Sequence, residues 1–232
     1  MIQLRKASER GHANHGWLDT WHSFSFADYY DPQHMGFSVL RVINDDRIAP
    51  GAGFPTHSHR DMEIITYLLQ GSLAHKDSMG NGSVIRPGEI QRMSAGSGIS
   101  HSEFNASESE EAHLLQIWIE PKENGIAPSY EQKSLPVAGS NVLLNLLASP
   151  DGRDGSVIIH QDVRLYATHL QEHEEVAYSL PAGRRGYLHL ARGKLKLNGL
   201  ELEAGDGAKI LDENINILST AAGSEALLFD LP

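Results

Sequence analysis

Apolar residues in this chain come in short runs, rich in Ile, Val, Leu and Tyr, and clusters of Gly, Pro, Asn and Asp separate one run from the next. An amphipathic helix needs its apolar face to recur over roughly ten residues or more, and the sequence offers no such stretch, so the pattern predicts an all-β fold. Candidate strands span 37–44, 62–69, 72–76, 83–85, 113–120, 142–147, 156–160, 163–170, 187–191, 194–197 and 226–230. Between paired runs, Ser78-Met79-Gly80-Asn81 and Leu197-Asn198-Gly199 supply residues that tolerate positive φ, as tight hairpins require.

The two halves share an order of elements. In the first, Gln70-Gly71 precedes a hairpin and then Pro87-Gly88-Glu89; in the second, Arg192-Gly193 precedes a hairpin and then Ala204-Gly205-Asp206. The repetition suggests a duplicated β-barrel unit, although antiparallel proteins also repeat in this way by coincidence, and the sequence leaves both readings open. A polar, proline-bearing stretch at 121–139 is the expected linker, which divides the chain into domains at 1–135 and 136–232. With 232 residues, 40% of them hydrophobic, each half has enough apolar material for a core.

Charge and cysteine content narrow the chemistry. A formal net charge of −11 argues against a nucleic-acid groove or an anionic membrane surface as the main partner. The absence of cysteine removes disulfides, thiolate nucleophiles and sulfur-rich metal sites, so any ion must sit on nitrogen and oxygen. Residues 1–10 hold no apolar run that could serve as a signal peptide, and nothing approaches the ~18 apolar residues of a membrane span. A cytoplasmic location is expected, with monomer as the default state.

Thirteen histidines are too many to be informative singly, so spacing selects among them. His57-Ser58-His59 follows Gly51-Ala52-Gly53-Phe54-Pro55-Thr56, and His101-Ser102-Glu103 follows Gly96-Ser97-Gly98-Ile99-Ser100. On a strand, residues two apart project from one face, so each pair presents two ligands together. Two such pairs facing one another would offer three imidazoles and a carboxylate to a divalent first-row ion, with coordination positions left for water, substrate or dioxygen. Spacing alone does not choose between Glu63 and Glu103 as the carboxylate.

Gly51, His57, His59 and Glu63, followed by Gly71, resemble the first cupin motif, and Gly88 through Gly96 to His101 and Asn105 resemble the second. More narrowly, Gly16-Trp17-Leu18-Asp19, Phe24-Ser25-Phe26-Ala27-Asp28-Tyr29-Tyr30-Asp31-Pro32, Leu40-Arg41-Val42-Ile43-Asn44-Asp45-Asp46, Ser94-Ala95-Gly96-Ser97-Gly98-Ile99-Ser100-His101-Ser102-Glu103 and Ser149-Pro150-Asp151-Gly152-Arg153-Asp154-Gly155-Ser156 are similar to the pirin family of bicupins, in particular its bacterial quercetin dioxygenase-like members. The resemblance covers nearly the whole chain and is densest before about residue 160. General cupins have Pro where Ser94 stands, a shorter gap before the second-motif histidine, and usually the first-motif glutamate as ligand; pirins resemble this sequence in both spacings.

The resemblance implies a bicupin of two packed β-barrels, metal-binding in the first and degenerate in the second. It implies His57, His59, His101 and Glu103 as ligands, Glu63 as a supporting group, and iron(II) as the ion, with zinc, nickel, copper, manganese or cobalt accepted by the same donors. The implied activity is cleavage of a flavonol such as quercetin with O2 to a depside and carbon monoxide, with Glu103 as general base as well as ligand. A metal-bearing regulatory module that contacts another protein is the alternative implied by other members. Phe54, Met62, Met93, Phe104 and Trp118 are expected at an apolar mouth, and Trp17, Trp21, Phe24, Phe26, Tyr29 and Tyr30 in a packed core or lid.

The later histidines His160, His169, His173 and His189 include no such alternating pair, so the second unit is expected to hold no metal. His169-Leu170-Gln171-Glu172-His173 fits a zinc-peptidase pattern, but that pattern needs a helix where 163–168 reads as a strand.

Overall fold

The computed structural model describes residues 1–135 and 143–232. The first half carries β1 (Ile2–Arg5), β2 (Gly11–Asn14), β3 (Leu18–His22), β4 (Leu40–Ile48), β5 (Gly53–His59) and β6 (Glu63–Gln70). It continues through β7 (Leu73–Asp77), β8 (Gly82–Ile85), β9 (Glu89–Ser94), β10 (Ile99–Asn105), β11 (Ala112–Ile119) and β12 (Ser129–Ser134). The second half runs through β13 (Asn145–Ser149), β14 (Val157–Ile158), β15 (Arg164–Leu170), β16 (Glu175–Tyr178) and β17 (Arg185–Arg192). It closes with β18 (Lys194–Leu197), β19 (Leu200–Glu203), β20 (Gly207–Leu211), β21 (Ile215–Ser219) and β22 (Ser224–Leu231).

These strands form two cupin-type barrels, each a large sheet folded over a small one. The amino-terminal barrel combines the order β12-β9-β6-β11-β4-β3-β2 with β5-β10-β7-β8. The carboxyl-terminal barrel combines β1-β20-β17-β22-β15-β13-β14 with β16-β21-β18-β19. The expected all-β bicupin is therefore the observed architecture. Among the described residues no helix is long and apolar enough to cross a membrane.

The two large sheets pack back to back, which explains why β6 and β22 read as nearly continuous apolar runs rather than alternating ones. In β6, Ile65, Tyr67 and Leu69 face the second barrel and Ile64, Thr66 and Leu68 face the interior of the first. In β22, Leu227, Phe229 and Leu231 meet that interface, whereas Ala226 and Leu228 fill the interior of the second barrel. Each large side chain fully buried in such a seam contributes roughly 1.5–3 kcal/mol. The seam also carries polar ties: the Tyr67 hydroxyl donates to Glu225 Oε1 at 2.7 Å, and Arg192 Nη2 donates to the Leu69 carbonyl at 2.8 Å.

Three features depart from the sequence reading. Part of the expected linker, Ser129–Ser134, is the edge strand β12 paired with β9, because its polar side chains suit a half-exposed edge. The first strand, β1, pairs with β20 of the carboxyl-terminal sheet, so the chain begins in one barrel and crosses to the other. Strands β2, β3, β5, β9 and β10, among others, were absent from the expected set because polar and Gly residues break up their apolar runs. Residues 136–139 of the expected linker, residue 142 of the expected strand 142–147, and the domain boundary after 135 touch positions outside the described residues.

Candidate metal centre

The two histidine pairs lie on adjacent antiparallel strands. His57 opposes His101 directly, and the register of β10 on β5 shifts between His101 and Glu103. A bulge of this kind twists one strand locally and re-aims its side chains. The close approach of the two strands depends on Gly53, where a Cβ would lie 2.2 Å from the Glu103 carbonyl oxygen. Any larger residue there would push β5, and both of its histidines, away from β10.

His57, His59 and His101 bring a ring nitrogen each to within 4.8 Å of one another. Their ring centroids are 4.5–5.0 Å apart. Glu103, 3% exposed, groups by the same distance with His101 and with His75, a residue absent from the expected site. His101 thus belongs to two groups: with His57 and His59 of β5 toward the surface, and with Glu103 and His75 deeper in the barrel.

The polar surroundings set which atom of each group faces inward. His57 Nδ1 donates to the Pro55 carbonyl at 2.8 Å, leaving Nε2 with the lone pair. His101 Nδ1 lies 3.5 Å from His75 Nδ1, and His75 Nε2 lies 3.3 Å from Asp77 Oδ2. Asp77 in turn accepts from Asn81 Nδ2 at 2.8 Å and from the backbone N–H groups of Met79 and Asn81. One assignment satisfies the whole chain: His101 Nδ1–H donates to His75, and His75 Nε2–H donates to Asp77, which is how a ligating imidazole is usually oriented. Strand pairing puts these groups together, since His101 opposes Asp77 and Glu103 opposes His75 across β10 and β7. His75 also stacks on Tyr130 with centroids 4.9 Å apart.

This arrangement fits a cation. His101 Nε2 is buried and finds no hydrogen-bond partner among the described residues, a cost that a metal bond would remove. Burial, with His57 beside it, lowers the His59 pKa to about 4. Burial, together with the neighbouring imidazoles of His57, His59 and His75, lowers His101 to about 3. Both rings are therefore neutral near pH 7, as ligation requires. Three imidazole nitrogens and an adjacent carboxylate suit a divalent first-row ion.

Glu103 is held by a row of side chains running across the barrel wall. Gln116 Nε2 donates to Glu103 Oε2 at 3.0 Å, and the Thr66 hydroxyl bridges Gln116 Oε1 at 3.2 Å and Glu103 Oε1 at 3.5 Å. Register places Gln116 between Thr66 and Asn44, so β6, β11 and β4 each contribute one member. Burial raises the Glu103 pKa to about 7, against the lowering effect of those two hydrogen bonds.

The cluster opens on a cavity of about 700 Å³ whose walls include His57, His59, Glu103, Gln116, Phe54 and Trp118. Trp118 meets His59 edge to face at 5.0 Å. Of the expected mouth, Phe54 and Trp118 line this cavity, Met62 and Met93 pack in a core cluster against Trp118, and Phe104 is exposed on the other side of its strand. Of the expected aromatic lid, Trp17, Phe26 and Tyr29 line the cavity, Phe24 belongs to the core between the barrels, and Tyr30 is exposed.

Glu63 lies elsewhere. Fully buried, its Oε2 accepts from Ser94 Oγ at 3.0 Å and from the His160 backbone N–H at 3.1 Å, so it ties β6 to the second barrel. Among the described residues, the groups of three potential ligands all involve the amino-terminal barrel. His169 and His173, the pair of the peptidase pattern, flank the end of β15 rather than one helix face.

The chain has close relatives. The pirin family pattern matches residues 3–119, and the quercetinase carboxyl-terminal cupin domain pattern matches residues 146–231. A protein of Escherichia coli strain K12 named quercetin 2,3-dioxygenase is 54% identical over 233 residues, spanning 100% of this chain and 99% of its own. A pirin-like protein of Caulobacter vibrioides is 44% identical over 231 residues, spanning 99% of each. The crystal structure of the bacterial pirin YhhW from Escherichia coli in complex with nickel(II) superimposes with a TM-score of 0.95 at 54% identity, covering 100% of this chain and 99% of that one.

Proposed function

The chain belongs to the pirin family, and from that premise we propose that it is a metal-dependent dioxygenase that cleaves a flavonol such as quercetin with O2, using His57, His59, His101 and Glu103 to hold one divalent ion. The observation that supports this reading is the grouping of His57, His59 and His101, with Glu103 grouped to the same His101, at the wall of a cavity large enough for a flat three-ring ligand. Iron(II) is the proposed ion, and nickel(II), held by the related pirin, is its first competitor.

When bound, the ion supplies Lewis acidity toward the substrate hydroxyl and open coordination positions for the reactants. The protein does the rest. Glu103 takes the proton from the flavonol 3-hydroxyl. Gln116 ties Oε2 by the shorter bond, so Oε1, approached only at 3.5 Å by Thr66, is the oxygen with capacity to receive it. Burial favours the protonated form of this carboxyl, the direction a proton acceptor needs. Phe54 and Trp118 give the ligand an apolar slot, and the fixed rings of His57 and His101 keep the donor geometry from relaxing when substrate arrives.

The test is oxygen uptake coupled to carbon monoxide release by metal-loaded protein given quercetin. Uptake with stoichiometric carbon monoxide is expected. Glu103→Gln should retain much of its ion yet lose turnover by about 100-fold, because an amide cannot accept the proton. Uptake at the wild-type rate in that variant removes Glu103 from the base role, and no uptake with any flavonol favours a metal-bearing protein-interaction module instead.

A further inference from the structure

The wall of the cavity built by β3 and β4 takes no part in holding an ion, yet it is polar. Thr20, His22, Asn44 and Asp46 all face inward there, with His22 opposite Asn44 and Thr20 opposite Asp46. His22 and Asp46 are 4% and 3% exposed, so each has been stripped of bulk water without being removed from the cavity.

His22 Nδ1 bonds Asn44 Oδ1 at 2.8 Å. An amide oxygen only accepts, so Nδ1 carries the proton and Nε2 presents its lone pair. The ring is steadied by Tyr29, stacked at 6.2 Å, and Phe26, tilted at 5.4 Å. Burial lowers its pKa, which keeps it neutral and accepting. Asp46 has the complementary character: burial, against the lowering effect of the Thr20 hydroxyl, raises its pKa, which favours the protonated carboxyl that can donate.

We propose that His22 and Asp46 form a subsite for the vicinal dihydroxy edge of an aromatic substrate, His22 Nε2 accepting from one hydroxyl and the Asp46 carboxyl donating to the other. Register makes the two residues diagonal neighbours on adjacent strands, a spacing that a catechol can bridge. The position along the cavity fits as well. His22 and Gln116 sit on the two strands that flank β4, two strand spacings or roughly 10 Å apart, and Gln116 holds Glu103. A flavonol with its 3-hydroxyl at Glu103 would extend its pendant ring toward that wall. The assignment rests on the dioxygenase reading only for which end of the ligand lies at Glu103.

Binding tests it without turnover. Metal-loaded protein kept free of oxygen is titrated at pH 6 with quercetin and with two analogues carrying one and no hydroxyl on the pendant ring, following quenching of tryptophan fluorescence. Wild-type protein should lose about three- to tenfold in affinity per hydroxyl removed, the worth of an ordinary hydrogen bond. His22→Phe and Asp46→Leu should each lose about one hydroxyl's share of that preference and the double variant should bind the three ligands nearly alike, whereas Asp46→Asn, which keeps a donor, should retain most of the preference. Equal affinities in wild-type protein, or an undiminished preference in both of the first two variants, would overturn the subsite. A preserved preference with no oxygen uptake would instead sink the dioxygenase reading and leave the subsite standing.

Discussion

Two barrels of the same construction differ in that one keeps a polar cavity beside its apolar clusters and the other is filled with hydrocarbon. Inward positions of the amino-terminal barrel carry Thr20, His22, Asn44, Asp46, Glu103 and Gln116 around an open cavity, with Thr66 and His101 buried behind them. The interior of the carboxyl-terminal barrel is packed with Leu188, Leu190, Leu195, Leu197, Leu202, Ile210, Ile215 and Ile217. Hydrocarbon stabilises a barrel from within, whereas buried polar groups and empty volume do not. The amino-terminal barrel is therefore braced from outside, through the shared seam on the backs of its strands and the Tyr67 and Arg192 ties. The candidate chemistry is sited in the barrel whose interior is divided between a polar cavity and two apolar clusters, one around Leu68 and Leu114 and one around Ile64 and Met93, and the hydrocarbon-filled second barrel backs it across the seam.

Three substitutions and one pH series can break or sharpen this contrast. The largest effect is expected from His101→Ala, which should empty the site and abolish turnover by 1000-fold or more, as the loss of a ligand exceeds the ~10–100-fold cost of losing a supporting partner. Ion content near one per chain in that variant would move the centre elsewhere. In the other barrel, Leu195→Ala should destabilise by about 2–5 kcal/mol through the cavity it leaves, with ion content per folded chain unchanged. Denaturant titration and elemental analysis check the two halves of that statement, and loss of metal at full folding would show that the barrels are not divided as described.

The adjacent residues Asp45 and Asp46 carry the contrast into pH dependence, because they point to opposite faces of β4. Asp45, half-buried but bonded to His113 and facing Arg10, has its pKa lowered to about 2. Its stabilisation is present above the unfolded value near 4 and is lost as pH falls toward 2. Asp46, raised to about 7, behaves oppositely. Between about 4 and 7 the folded state holds a proton that the unfolded state has lost, so stability falls as pH rises, by up to about 1.4 kcal/mol per unit. In metal-free protein, Asp46→Asn should flatten that slope, and an unchanged profile would contradict the buried, protonated state of Asp46. Smallest of all, His173→Ala should alter neither ion content nor stability measurably, because the ring is 85% exposed. A loss of metal there would revive the peptidase pattern.

The all-β class and the same-face projection of His57 with His59 were legible because alternating spacing maps directly onto a strand face, whereas the duplicated unit rested on a repeated order of turns that the residues alone left open. Nothing in spacing revealed that Glu63 faces the interdomain seam while Glu103 faces the barrel interior, since that depends on which face each strand buries. His75 was missed although His75-Lys76-Asp77 has the same alternating form as the other pairs, because its role emerges only from the pairing of β7 with β10. The strand Ser129–Ser134 looked like linker because an exposed edge needs no apolar residues. The location of β1 in the far barrel is a long-range pairing, which local pattern does not encode.

The most direct measurement is an anomalous-scattering map from crystals of metal-loaded protein. One peak within bonding distance of His57, His59, His101 and Glu103, and none inside the leucine-filled barrel, is the predicted result. A peak bridging His75 and Glu103 without His57 and His59, or an ion seated in the carboxyl-terminal barrel, would contradict it.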